Sequence, residues 1–252
     1  MAELLRTSNP ALNDRVFREA AAGALGDRMT IEGTVNKTGV LLICTVLTAA
    51  WTWHLFMQTR DPATVMPLVL VGAIGGLVFA IATVFKNTWA PFTAPVYALL
   101  EGLVLGGVSA VLEVRFPGIA IQAVSLTFGT LIALLLAYRS RLIPVTQNFR
   151  LGVVAATGGI FFVYLVTMIL GLFGVHFGSS IYGAGALGIG FSVFVVIVAA
   201  LNLVLDFDFI ESGARMGAPK HMEWYGAFGL MVTLIWLYFE ILRLLAKLRE
   251  RR

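Results

Sequence analysis

The sequence predicts an all-α polytopic membrane protein, folded as a seven-helix bundle with a central last helix. Of its 252 residues, 59% are hydrophobic and only 13% are charged, whereas an ordinary soluble domain has about 25% charged residues. A soluble domain of this length cannot hide so much apolar surface from water. The apolar residues also fall into seven runs of about 20 residues, the length that a helix needs to cross a bilayer core.

Three regions follow from the distribution of these runs. Residues 1–38 are polar and are predicted to form a cytoplasmic N-terminal tail, because they suit neither a signal peptide nor a span. Residues 39–246 are predicted to form the transmembrane domain, and residues 247–252 a basic C-terminal tail. The seven predicted spans cover residues 39–57, 66–85, 91–112, 118–138, 151–175, 185–205 and 225–245.

Basic residues predict the orientation of the spans. With the N-terminus inside, Lys and Arg concentrate in the tail and in the inner loops, as the positive-inside rule requires. The rule conflicts with the last run, because the basic residues that follow it would lie outside if it crosses the membrane. The last helix therefore either crosses despite this bias or re-enters, and the charge count favours re-entry while the run length favours crossing.

Small residues recur every fourth position in the third run, at Ala98, Gly102, Gly106 and Ala110. Such a stripe forms a groove into which a neighbouring helix backbone fits. It predicts close helix packing rather than an activity. The net charge of +4 is concentrated at the two ends of the chain, which favours contact with anionic lipid headgroups and not with nucleic acid.

Four acids stand within or at the end of apolar runs, where an ionised carboxylate is costly and is therefore a candidate functional group. Glu101 is in the middle of the third run, Asp206 and Asp208 close the sixth, and Glu240 is late in the seventh. Carboxylates brought together in such surroundings would respond to pH, because two adjacent carboxylates resist being ionised together.

Simpler interpretations of the four acids remain open. Asp206 and Asp208 would mark a helix end at the interface, and they point about 200° apart if the helix continues through them. Glu240 would form an ion pair with Arg243 three residues later. Glu101 would be a protonated acid that hydrogen-bonds to a neighbouring helix.

The sequence does not predict an enzyme or a resident cofactor. The three histidines fall in separate segments, so three convergent zinc ligands are not expected. No Ser, His and Asp set in a triad-like context and no intramembrane aspartyl protease signature appear. Cys44 is the single cysteine, which excludes a disulfide within the chain.

At the last two runs the sequence resembles a known family. The stretch ALNLVLDFDFIE at the end of the sixth run and LIWLYFEILRLL in the seventh look like the Bax inhibitor-1 family, also called the transmembrane BAX inhibitor motif family, in its bacterial branch. EGLVLGG in the third run is similar to a helix motif of that family which carries a glutamate. Two departures stand out, because the second acid is Glu instead of the usual Asp and the segment between the two acids is long.

The resemblance implies a pH-sensitive calcium leak channel, closed while two acids on helices six and seven share a proton. In this sequence that carboxyl pair would be Asp206 and Glu240, which would also bind Ca²⁺, with Asp208 and Glu101 along the cation path. Oxygen ligands suit this ion. The alternative is a non-transporting regulator that binds another membrane protein, such as a quality-control protease. The expected location is a bacterial cytoplasmic membrane, as a multi-pass protein with lipid as its surroundings.

Overall fold

The computed structural model describes residues 28–174 and 183–251, and these form an all-α bundle. Within this part of the chain there are seven helices long and apolar enough to cross a membrane, as the sequence predicts. A 3₁₀ turn, Asn87–Trp89, precedes the third helix. The helices are α1 Ile31–Thr59, α2 Pro62–Phe85, α3 Ala90–Arg115, α4 Ile119–Arg139, α5 Gln147–Leu172, α6 Ala186–Arg215 and α7 Met222–Glu250.

Helix α1 begins at Ile31, earlier than the predicted tail boundary at residue 38. Thr30 caps it, because its side-chain oxygen accepts a hydrogen bond from the Gly33 amide. Within these polar first turns, Lys37 pairs with Glu223 at the start of α7. The amide of Met29 also donates to the Ala218 carbonyl at 2.7 Å, which ties the start of the described chain to the α6–α7 connection. Residues 1–27 of the predicted tail lie outside the described residues.

Helix α7 is the central helix of the bundle and is continuous from Met222 to Glu250. Its buried residues cover most of its surface, and it packs on α1, α3, α4 and α6. Its first turn lies beside the start of α1, through the contacts of Glu223 with Thr30. Its last turn lies beside the α3–α4 connection, where Glu250 pairs with Arg115 at 3.0 Å. The two ends of α7 are therefore at opposite ends of the bundle, and α7 is long and apolar enough to cross a membrane, which favours the full span over re-entry.

The small-residue stripe of α3 packs against α1, as predicted. A Cβ added to Gly106 would overlap the backbone of Ala49, so the two helices approach as closely as glycine permits. The hydroxyl of Thr45 on α1 donates to the Ala98 carbonyl at 3.1 Å in the same interface. This interface packs α1 closely against α3.

Helix α5 lies at the periphery and packs principally on α6. Among the seven helices it has the smallest buried share. Val153 and Ile160 are its buried apolar residues, and Ile160 packs in a small cluster with Val195 and Val198 of α6. Of the acids singled out from the sequence, Asp208 and Glu240 contact α5, whereas Asp206 and Glu101 do not face it.

Candidate functional site

Asp206 is buried inside the bundle and lies well before the end of its helix. Asp206 is 2% exposed. Helix α6 continues beyond it to Arg215, about 13 Å further along the axis. The interpretation that Asp206 marks a helix end is therefore wrong. The carboxyl faces α7, where the side chain of Thr233 interacts with it. Its Oδ2 has no hydrogen-bond partner among the described residues.

Glu240 has partners of its own on α5 and α7. Arg243 Nη1 donates to both of its carboxylate oxygens, at 3.1 and 3.2 Å. The Tyr164 hydroxyl donates to Oε1 at 3.0 Å, and Arg243 Nη1 also donates to the Tyr164 oxygen at 2.8 Å. The ion pair between Glu240 and Arg243, which spacing on the helix allows, is therefore confirmed.

The structure does not bring Asp206 and Glu240 together as a carboxyl pair. In the described part of the chain neither carboxylate hydrogen-bonds to the other. Thr233, which faces Asp206, precedes Glu240 by seven residues, or about 10 Å along α7. The physical reason is this separation along one continuous helix. In addition, Arg243 of the same helix pairs with Glu240. A calcium site shared by the two acids is thus not assembled in this conformation.

Asp208 points away from Asp206, as helical geometry requires for residues two apart. Its Oδ2 accepts a hydrogen bond from Arg150 Nη2 of α5 at 2.5 Å, and both side chains are largely buried. One turn later, Glu211 accepts a hydrogen bond from the Tyr138 hydroxyl of α4. Asp208 is therefore an ion-paired residue between α5 and α6 here, and not an open cation ligand.

Glu101 lies apart from the other acids, at the interface of α2 and α3. Its carboxylate occupies the space over Gly76 of α2, where a Cβ would come within 2.7 Å of Oε1. It is partly buried, and Tyr97 is its electrostatic neighbour one turn earlier. Over residues 28–174 and 183–251, no hydrogen bond or ion pair to Glu101 is formed. The expected bond from Glu101 to a neighbouring helix is therefore not seen.

Several polar residues at the site were not singled out from the sequence. Asn202 of α6 donates to the Thr157 hydroxyl of α5 at 2.9 Å. Lys247 of α7 is buried and donates to the Gly188 carbonyl at 3.0 Å and to the Ser192 hydroxyl at 2.9 Å. The signal that could have found Lys247 is its spacing of seven residues from Glu240, since such residues lie on one helix face.

The described residues hold no cluster of three acidic, histidine or cysteine side chains that could bind a metal ion. Asp206 is separated from the Glu240 cluster, and Asp208 is held by Arg150. The arrangement is therefore that of a polytopic membrane protein with buried acids distributed over two of its helices, and not that of a preformed metal centre.

Comparison with known families agrees with this class. The sequence model of the family described as Bax inhibitor 1 like matches residues 9–250. The chain belongs to this family, and the predicted membership in the Bax inhibitor-1 family is confirmed. Searches of curated proteins and of solved structures found no match.

Proposed function

We propose that this protein is a pH-sensitive cation leak channel for Ca²⁺, and that Asp206 is its proton-sensitive group. The observation that carries the proposal is the position of the Asp206 carboxyl, which is buried inside a membrane helix with Oδ2 unpartnered among the described residues. An ionised carboxylate at such a position costs a few kcal/mol or more unless water or a cation reaches it. Loss of its proton therefore favours a conformation that admits water or a cation.

Glu240 has a different role in this proposal from the one that the family resemblance implies. Its charge is balanced by Arg243 of the same helix, so ionisation of Asp206 does not require Glu240 to lose a shared proton. In this proposal the α7 partner of Asp206 is the neutral Thr233, and not Glu240. Calcium is the proposed cargo because of the family, and the bacterial cytoplasmic membrane is the proposed location.

The test is Ca²⁺ flux into proteoliposomes between pH 5 and pH 8. We expect the wild-type flux to increase with pH, and Asp206→Asn to lose this dependence because its amide cannot release a proton in this range. Glu32→Gln is the matched control, since Glu32 is an exposed acid in the first turn of α1. Glu240→Gln is expected to keep the pH dependence of the wild type.

Two results would contradict the proposal. If Asp206→Asn keeps the pH dependence of the wild type, Asp206 is not the proton-sensitive group. If the wild-type protein shows no flux at any pH and co-purifies with one stoichiometric membrane protein, the regulator alternative replaces the channel.

A further inference from the structure

Helix α5 contacts α6 and α7 through polar side chains at three levels along its axis. Arg150 contacts Asp208, Thr157 contacts Asn202, and Tyr164 contacts Glu240. We call these three pairs the polar seam.

The three α5 residues of the seam are spaced by seven, so they lie on one face of the helix. From Arg150 to Tyr164 the seam extends about 21 Å along the axis, which is most of a bilayer core about 30 Å thick. Beyond Glu240, the buried Lys247 contacts Gly188 and Ser192 between α6 and α7. Polar groups thus follow the α6–α7 surface from one end of the bundle toward the other.

Apolar layers separate the polar levels. Ile160 of α5 is 3% exposed and packs with Val195 and Val198 of α6. Val153 is also buried, one turn before Thr157. The seam is therefore closed to a continuous file of water in this conformation, because each polar pair is isolated from the next by aliphatic side chains.

The seam differs from the other interfaces in what its separation would expose. Parting α1 from α3 would uncover mainly glycine, alanine and threonine, since Gly106 and Thr45 form that contact. Parting α5 from α6 would uncover Asp208, Asn202 and Glu240 on the bundle, and would remove Arg150 together with α5. The surface left behind is polar, and it gains an unpaired acid at one end. No other interface described for this chain offers such a row.

We infer that α5 is the mobile helix that lines the ion pathway, and that ions cross along the polar seam when α5 separates from α6. This inference rests on the proposed cation leak and adds the route and the moving element. Asp206 faces α7, so it acts as the proton-sensitive group that favours the separation and does not itself line the seam. Arg150 acts as a counter-charge that leaves with α5, and Asp208 then becomes available to a cation. The charged and titratable groups that face the seam are Arg150, Asp208, Tyr138, Glu211, Arg215, Tyr164, Glu240, Arg243 and Lys247.

The first test measures whether water reaches the seam. Cys44 is replaced by Ala so that Thr157→Cys is the single cysteine, and its reaction with a membrane-impermeant thiol reagent is followed in proteoliposomes at pH 5 and pH 8. We expect at least a tenfold faster reaction at pH 8. The matched control is Phe161→Cys, one turn along α5, because Phe161 is 65% exposed on the outer surface and should stay unreactive in lipid at both pH values.

The second test crosslinks α5 to α6 across the polar seam. A Thr157→Cys and Asn202→Cys pair is oxidised, and the crosslink is verified by mass spectrometry. We expect crosslinking to abolish most Ca²⁺ flux and reduction to restore it. The control pair is Thr45→Cys with Ala98→Cys, which joins α1 to α3 and should leave flux unchanged.

The outcomes separate the inference from the proposed function. If Ca²⁺ flux persists in the oxidised, α5–α6 crosslinked protein and Thr157→Cys is equally unreactive at both pH values, the proposed movement of α5 is wrong and the proposed channel stands. Absence of flux in the wild type overturns the channel and, with it, the pathway. Ile160→Ala gives an independent check without cysteines, because removal of this apolar layer should raise flux at pH 5, and unchanged flux there counts against the seam.

Discussion

Glu223, in the first turn of α7, is completely buried and carries a charge. Its Oε1 accepts hydrogen bonds from the amide and the hydroxyl of Thr30, both at 2.9 Å. Lys37 of α1 pairs with its other oxygen, and Lys220 Nζ lies 3.1 Å from Oε1. One carboxylate thus fastens the start of α1 to the start of the central helix, so we predict that Glu223→Gln destabilises the bundle.

The size of the stability loss depends on the lysine charges that remain unpaired after the substitution. Removing one member of a buried ion pair costs about 3–5 kcal/mol, because the remaining charge is left without compensation. The Lys220 side chain is 48% exposed and can be solvated, whereas that of Lys37 is only 19% exposed. Glutamine can still accept the bonds from Thr30. We therefore expect a loss near the lower limit, about 3 kcal/mol, or roughly 6–12 °C in midpoint for a chain of this size.

The measurement is the thermal unfolding midpoint in detergent, read from the monodisperse fraction that survives heating. Glu32→Gln is the matched control, because Glu32 is an exposed acid in the first turn of α1. The control should shift the midpoint by less than about 2 °C, as surface substitutions usually do. A Glu223→Gln midpoint within that same margin would refute the reasoning, because the buried carboxylate would then contribute no net stability.

Three further predictions concern packing, capping and pH. Gly106→Ala should destabilise by about 1–3 kcal/mol because the new Cβ overlaps the Ala49 backbone, while Gly129→Ala, with open space around it, should not lower the thermal midpoint. Glu113→Gln should cost about 1 kcal/mol in the same assay, since its carboxylate accepts two amide hydrogen bonds that fix the start of α4. Burial lowers the pKa of His221, so the folded state binds fewer protons than the unfolded state below about pH 6.5. Stability should fall as pH decreases from 7.5 to 5.5, and His221→Gln should reduce that fall; an identical fall in both proteins would contradict it.

The features that depend on neighbouring residues along the chain could be predicted from the sequence. All seven spans were predicted, because hydropathy is summed over about 20 residues and tolerates local exceptions. The opposite directions of Asp206 and Asp208 follow from the helical repeat, and the Glu240–Arg243 pair follows from spacing on one helix. These inferences need no knowledge of which helices pack together.

The features that depend on distant residues could not be predicted. The pairing of Asp208 with Arg150 joins residues 58 positions apart, and periodicity in one helix does not identify its neighbour. The pairing of Lys37 with Glu223 is a second example, because these residues are 186 positions apart. Polar residues that seem to belong to a solvated tail are buried there by the opposite end of the chain.

The cations of α7 explain why the charge count favoured re-entry while the run length favoured crossing. The charge count assumed that the basic residues near the C-terminus face headgroups. Arg243 instead pairs with Glu240, and Lys247 is buried against Ser192. Arg249 donates to the Pro117 carbonyl at 2.7 Å.

These three cations are bound within the bundle, so they bias the orientation less than free cations in a loop would. Their contacts also require the last turn of α7 to lie beside α3 and α4, because a re-entrant helix could not reach Pro117. Positive charge that is satisfied by intramolecular partners should therefore be discounted before it is used to orient a span. The apolar length of α7, which nothing in the bundle contradicts, is the stronger indicator of its path.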